Sequence, residues 1–405
     1  MNPIRILIHE IKEGFNGSKW VPLITAYAVL SSIIGPGFHY PLIHLPFIAI
    51  GLTFAFKSKL KLDLPSVLLL LYLPVNVLVT SPDAIFNPWV RLALFTVVFI
   101  FVSPFLRGQS LGLYRKKILL GILLICVILG LGSFVCYFLG INYMVSQFDG
   151  SAISDYQESY GGFGGLVRQS ISLGMVSGLG MLYLLYRALN QPKKDRIWYD
   201  AAIVILAMTI LLSASRTALL SAITGMLVML YQSNRKKGKF LQVMIVILFV
   251  SMLTYPLWGD FMAGIESKYS TQSELGAYGS RTEKWTARMT EFASSPIVGI
   301  GYASVNPSLD IVGVGGVIEP GSSWLAILSM TGIIGFILVI MILIKPFQYL
   351  RTHPTPYNSL LLGLMVYICT HMISEGYIFA GGSALCFMAW LIFGCCNDAR
   401  YFEMK

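Results

Sequence analysis

The sequence predicts an all-α, polytopic integral membrane protein with about twelve transmembrane helices and one large extracytoplasmic loop containing short helices. Three observations carry this reading. The 405-residue chain is 56% hydrophobic and only 12% charged, where a soluble domain carries about a quarter charged residues. Apolar stretches of roughly 17–25 residues, the length that crosses a bilayer as a helix, recur along its whole length. The basic residues cluster between those stretches rather than within them.

The spans are expected at 21–36, 40–56, 65–80, 88–106, 118–140, 166–186, 198–213, 217–232, 240–257, 321–344, 356–375 and 380–396. Residues 1–257 then hold helices one to nine, 258–320 form the large extracytoplasmic loop, and 321–405 hold helices ten to twelve with a cytoplasmic tail. With both termini on the cytoplasmic side, 22 of the 29 Lys and Arg residues fall in inner segments, as cytoplasmic loops require. Seven do not: Arg91, Arg168, Arg216, Lys268, Arg281, Lys284 and Arg288. The first three sit at outer helix ends and the other four in the long loop. A cation placed against the charge rule needs a reason.

The formal net charge of +10 could point to nucleic acid, but its location in short inter-span loops points to anionic membrane lipids instead, and no nucleic-acid partner is expected. Cys126, Cys136, Cys369, Cys386, Cys395 and Cys396 all fall within or at the ends of apolar spans. None has zinc-ligand spacing with a histidine, so they read as small buried apolar residues. The first apolar run is followed by further spans rather than a small-residue cleavage site, so it is expected to stay on the chain.

Four constellations could carry chemistry. In Ser213-Ala-Ser-Arg-Thr-Ala, Arg216 lies between two apolar runs. Such a charge near hydrocarbon faces a cavity or a partner, and snorkelling or a tight helical hairpin is the ordinary alternative. In Gly279-Ser-Arg-Thr-Glu-Lys-Trp-Thr-Ala-Arg-Met-Thr-Glu-Phe, the Ser280/Glu283 spacing is a capping box that opens a helix, and Ser295-Pro296 closes it. Arg281, Lys284 and Arg288 then share one face, beside an apolar stripe of Trp285, Met289 and Phe292. A helix of this kind can lie on the membrane surface and offer cations to a phosphate, or simply to lipid headgroups. Arg168 follows a Gly-rich outer segment, 141–165, and could join the others around one cavity. Glu319, just before the helix that starts near 321, could accept a proton or only cap that helix. His371 and Glu375 share a helical face, where packing is the commoner use of such a histidine.

Three stretches, SASRTALLSAITGMLVML, SRTEKWTARMTEFASSPIVGIGYASV and PGSSWLAILSMTGIIGFIL, resemble in content and order the bacterial O-antigen ligase and polymerase superfamily over about residues 200–350. The resemblance implies a membrane-embedded, metal-independent glycosyltransferase without a cofactor. Its donor would be an oligosaccharide on a polyprenyl diphosphate, worked at the outer face of the cytoplasmic membrane with inversion. The family's diphosphate-binding arginines map onto Arg216 and Arg281, and more loosely Arg168. Lys284, Trp285 and Arg288 are the further substrate-binding candidates, and a chain-length regulator and a repeat-unit flippase are candidate partners. Ligases of the superfamily carry a histidine in the long loop before the next helix, whereas 258–320 holds none. That leaves Glu319 as base or no strong base, and favours a polymerase over a ligase. The rival from another class is a polysaccharide or small-molecule transporter. Weighing against it, the two halves of the chain show no repeat symmetry.

Overall fold

The computed structural model describes residues 20–36, 60–144, 162–233, 279–309, 318 and 320–401, and of residues 20–21, 193–195 and 279–281 the backbone alone. Among these, eleven α-helices carry the architecture: α1 (Trp20–Leu30), α2 (Leu64–Thr80), α3 (Pro88–Val102), α4 (Gln109–Phe138), α5 (Ser170–Leu189), α6 (Lys193–Leu212), α7 (Arg216–Ser233), α8 (Gly279–Ser294), α9 (Ser323–Thr352), α10 (Pro356–His371) and α11 (Ala384–Asp398). The expected spans 40–56 and 240–257 lie outside the described residues.

Four helical stretches, Ala84–Val102, Gln109–Phe138, Ser170–Leu189 and Ser323–Thr352, are long and apolar enough to cross a membrane, and Leu64–Thr80 is a shorter apolar helix. At 1.5 Å per residue, α10 and α11, with 16 and 15 residues, are shorter than a hydrocarbon core of about 30 Å. They are nonetheless the most enclosed part of the molecule. Every residue of α11 but Leu385 is buried, and α10 packs on α7, α5, α9 and α11. A helix buried by other helices need not match the lipid thickness.

Several boundaries differ from expectation for local reasons. α1 ends at Leu30, six residues early, because Gly35 N–H donates to Leu166 O and Arg168 N–H to Ile33 O, an antiparallel bridge that pulls the chain out of the helix. α3 stops at Val102 because Pro104 cannot continue it. The residues after it pair as a two-residue strand, Leu106–Arg107, with Lys61–Leu62 before α2, a sheet fragment that the helical periodicity does not predict. α4 begins nine residues early, at Gln109, carrying Arg115 into the interior.

That burial turns a supposed loop cation into a clamp. Arg115 is fully buried and donates to Phe101 O, Leu106 O and, at 2.9 Å, to Asp398 Oδ2. It ties α3, α4 and α11 together at one end of the bundle. Beside it Arg107 pairs with Asp63, which also caps α2 through Ser66 N–H. Burial lowers the Arg107 guanidinium to about 10, and the nearby Arg400 adds to the shift, so it stays charged at neutral pH.

The expected extracytoplasmic loop is not wholly a loop. After α8, the segment Val298–Val305 enters the bundle. Tyr302 is fully buried against Phe95 and Phe379, and its phenol donates to Phe379 O. The segment fits because α9 is broken at Gly332, whose φ of 63° and ψ of −168° are not helical. The break frees carbonyls and N–H groups on both sides, and the entering segment satisfies them. Ile300 N–H donates to Ser329 O and Gly301 N–H to Met330 O, while Ile333 N–H donates to Pro296 O. From α2, Asn76 grips the same segment by donating to Val298 O and accepting from Tyr302 N–H, and Tyr72 donates to Thr331 O. Irregular backbone at such depth is tolerated only when buried in protein with its polar groups paired.

Candidate functional site

At the end of the bundle opposite the Arg115 clamp, short contacts join the starts of α5, α7, α8 and α9. α7 begins after a tight turn at Ser213–Ser215 in which Ala214 takes a positive φ of 50°. Ser215 caps the helix, its Oγ accepting from Ala218 N–H, so Arg216 stands at the first helical position and is exposed. The start of α5 lies against this turn. A Cβ on Gly174 would sit 2.7 Å from Ser215 Cβ, and one on Gly162 2.7 Å from Ser170 Oγ and 2.9 Å from Ser213 O. Arg168, half-buried, lies two residues before α5.

One residue beyond Arg216, the Thr217 hydroxyl meets Ser374 Oγ at 2.5 Å. From there the rim runs into the start of α9. Ser323 donates through Oγ to Glu375 O and accepts from Tyr377 N–H, while its own N–H reaches Met372 O. Ser322 caps α9. Next to it, Gly321 has a positive φ of 69° and a Cβ there would be 3.0 Å from Lys284 Cβ. Trp285 Nε1 donates to Gly321 O at 3.2 Å.

The rim therefore gathers Arg168, Arg216, Lys284 and Trp285. The same contacts bring together the N-termini of α5, α7 and α9, each with partial positive charge. The side chain of Arg281 and the whole of Glu319 lie outside the described residues. Pro320 packs where a Cβ on Gly376 would be, 2.7 Å away.

Arg288 is placed otherwise than the sequence predicts. It is fully buried, with Nη2 2.9 Å from Glu291 Oε1, and the same oxygen accepts Asn306 N–H at 2.6 Å. The pair fastens α8 to the segment that follows it, while Lys284 and Trp285 remain half-buried near Gly321 and Met289 is exposed. Arg281, Lys284 and Arg288 thus do not form one solvent-facing cationic face. His371 is also fully buried, stacked on Tyr367, with Nδ1 3.3 Å from Tyr377 Oη, the environment of a packing histidine.

Spacing could not show a cavity of about 280 Å³ lined by Arg91, Ile318, Pro320, Gly376, Tyr377 and further residues of the 376–383 turn. Arg91 stands out in the sequence only as a cation against the charge rule. Apart from Leu94, its neighbours in the cavity are more than two hundred residues away.

Residues 201–340 match the family model described as O-Antigen ligase. The match covers about a third of the chain and contains Arg216, Arg281, Lys284, Trp285, Arg288 and Glu319. Arg91 and Arg168 fall outside it. No curated protein matches the chain. The stretch that builds most of the rim, from within α6 through α7 and α8 to the middle of α9, is thus similar to the O-antigen ligase family.

Proposed function

We propose that the protein is a glycosyltransferase of the bacterial cytoplasmic membrane that polymerises polyprenyl-diphosphate-linked oligosaccharide units on the outer face, with both termini inside and about twelve spans. The units would belong to an O-antigen, capsule or exopolysaccharide. The observation that carries the reading is the rim, where Arg216 sits on the first turn of α7 beside the starts of α5 and α9. A guanidinium at a helix N-terminus adds its charge to the partial positive charge of the helix end, and both attract an anion. In this reaction that anion is the diphosphate. As the anomeric C–O bond breaks, negative charge grows on the departing lipid diphosphate, and Arg216 and Arg281 stabilise it. Lys284 and Arg168 add charge at its edge, and Trp285 holds the Gly321 carbonyl and so the entry to α9. An acceptor hydroxyl attacks the opposite face of the anomeric carbon with inversion, and Glu319 takes its proton. Arg288 serves this site through the seating of α8, not through substrate contact.

Purified protein given lipid-linked repeat units should lengthen glycan chains. Arg216→Ala and Arg281→Ala should each abolish the product, and Glu319→Gln should lower the rate and flatten its pH dependence. Full activity in either arginine variant would refute the assignment. A ligase passing the glycan to a lipid or protein acceptor is the second reading, favoured by the family match. It predicts single transfer to a foreign acceptor rather than chain growth in the same assay.

A further inference from the structure

The end of the bundle held by Arg115 carries more positive charge than its own ion pairs use. Lys61 stands directly opposite Arg107 in the two-residue ladder. Side chains so placed share one face of the sheet, where like charges repel. Arg400, in the turn after α11, lies near enough to depress the Arg107 guanidinium further. The two carboxylates of this end are committed, Asp398 to Arg115 and Asp63 to Arg107 and the cap of α2. Among the described residues, neither Lys61 nor Arg400 has an ion pair. Lys61 is exposed. Arg400 is half-buried, donates from Nη2 to Asn397 Oδ1 at 3.3 Å and lies over the Tyr401 ring. The unpaired polar atoms point the same way. Arg107 Nε, Arg400 Nε and Asn397 Nδ2 are buried donors without a hydrogen-bond partner, and Asn397 as a whole is only 7% exposed. Within this cluster a single orphaned acceptor, Asp398 Oδ1, stands against those three donors. Water could satisfy surplus donors, but an anion satisfies both the donors and the surplus charge. Leu62 and Leu64, beside Lys61 along the chain, are 61% and 68% exposed, which suits an anion that carries apolar chains of its own.

We propose that Lys61, Arg107 and Arg400 form a binding site for the phosphate of an anionic lipid headgroup, in the leaflet away from the rim. Basic pockets between membrane helices on the cytoplasmic side bind such headgroups, and all three cations fall on the expected inner side. A phosphate there joins the strand before α2, the turn between α3 and α4 and the end of α11, so the bound lipid braces that end of the bundle. The site does not depend on the chemistry at the rim.

The test is native mass spectrometry of the full-length protein in a neutral detergent, given phosphatidylglycerol and phosphatidylcholine with the same acyl chains. One phosphatidylglycerol should be retained per chain, with an affinity about tenfold above that of phosphatidylcholine, and it should raise the melting temperature. Lys61→Gln and Arg400→Gln should each weaken that preference, the double variant should abolish it together with the thermal shift, and Arg400→Lys should keep part of it. Both variants leave the Arg107–Asp63 and Arg115–Asp398 pairs in place, so the protein should fold. Lys345→Gln, the same charge change at an exposed lysine on α9, should bind as the wild type does. An equal loss in Lys345→Gln would reduce the effect to diffuse surface charge and overturn the site. Equal retention of phosphatidylcholine would overturn the anion. Displacement of the lipid by equimolar inorganic phosphate would overturn the lipid and assign the cations to a soluble phosphate. Phosphatidylglycerol binding that emerged only in Glu403→Gln would give the cations to a carboxylate of the chain itself, and would overturn the proposal as well.

Discussion

Lys284 and Arg288 stand one helical turn apart on α8, and the fold gives them different tasks. Lys284 lies half-buried against Gly321 at the rim. Arg288 is sealed in an ion pair with Glu291. Spacing on a helix shows which residues share a face, but not whether that face meets lipid, water or protein. Breaking a buried pair by removing one partner costs about 3–5 kcal/mol. Arg288→Ala should therefore lower the melting temperature clearly in a thermal unfolding assay in detergent. The double variant Arg288→Met with Glu291→Gln, which removes both charges and keeps an acceptor for Asn306 N–H, should recover much of the loss. Donor affinity should change little in the double variant. An Arg288→Ala protein of normal stability that had lost donor binding would return Arg288 to the surface role its sequence suggests.

Among the elements, α9 departs furthest from a simple span. Its hydropathy predicts one continuous crossing, and the helix instead breaks at Gly332 to admit the Val298–Val305 segment. Sequence hints exist on both sides. Gly299-Ile-Gly-Tyr-Ala is too apolar and too glycine-rich for a solvated loop, and Thr-Gly-Ile-Ile-Gly interrupts α9 with small residues. What no periodicity states is that these two glycine clusters meet. Gly332 occupies backbone space open almost solely to glycine, and a Cβ there would lie 2.2 Å from Ile297 O. Gly332→Ala should destabilise by more than the roughly 1–3 kcal/mol of backbone strain alone, seen as poor recovery and early unfolding. A stable Gly332→Ala protein would mean that α9 can run straight and that the segment is not locked in the break.

The molecule as a whole has two unlike ends. One is tied by the buried Arg115–Asp398 pair and the Lys61–Leu62/Leu106–Arg107 ladder. The other collects cations at helix starts. If the rim faces outward, Ser308→Cys, on an exposed residue at that end, should react with an impermeant maleimide added to intact cells, and Thr352→Cys, exposed at the other end of α9, should not. The native cysteines are buried or half-buried, so background labelling should be low. The reverse pattern would end the outer-face reading. Composition and hydropathy by themselves determined that the chain is a helical bundle with apolar spans. The ordered motifs around Arg216 and Ser280 marked the family resemblance, because these are local properties and survive without knowledge of neighbours. Only the tertiary structure decided that Arg115 and Arg288 are buried partners rather than surface charges. It alone brings Arg91 beside the entry to α9, and it alone turns part of a supposed loop into core. Each of those outcomes depends on which distant carbonyl, carboxylate or void a side chain meets, and a contact between residues hundreds of positions apart leaves no periodic trace along the chain.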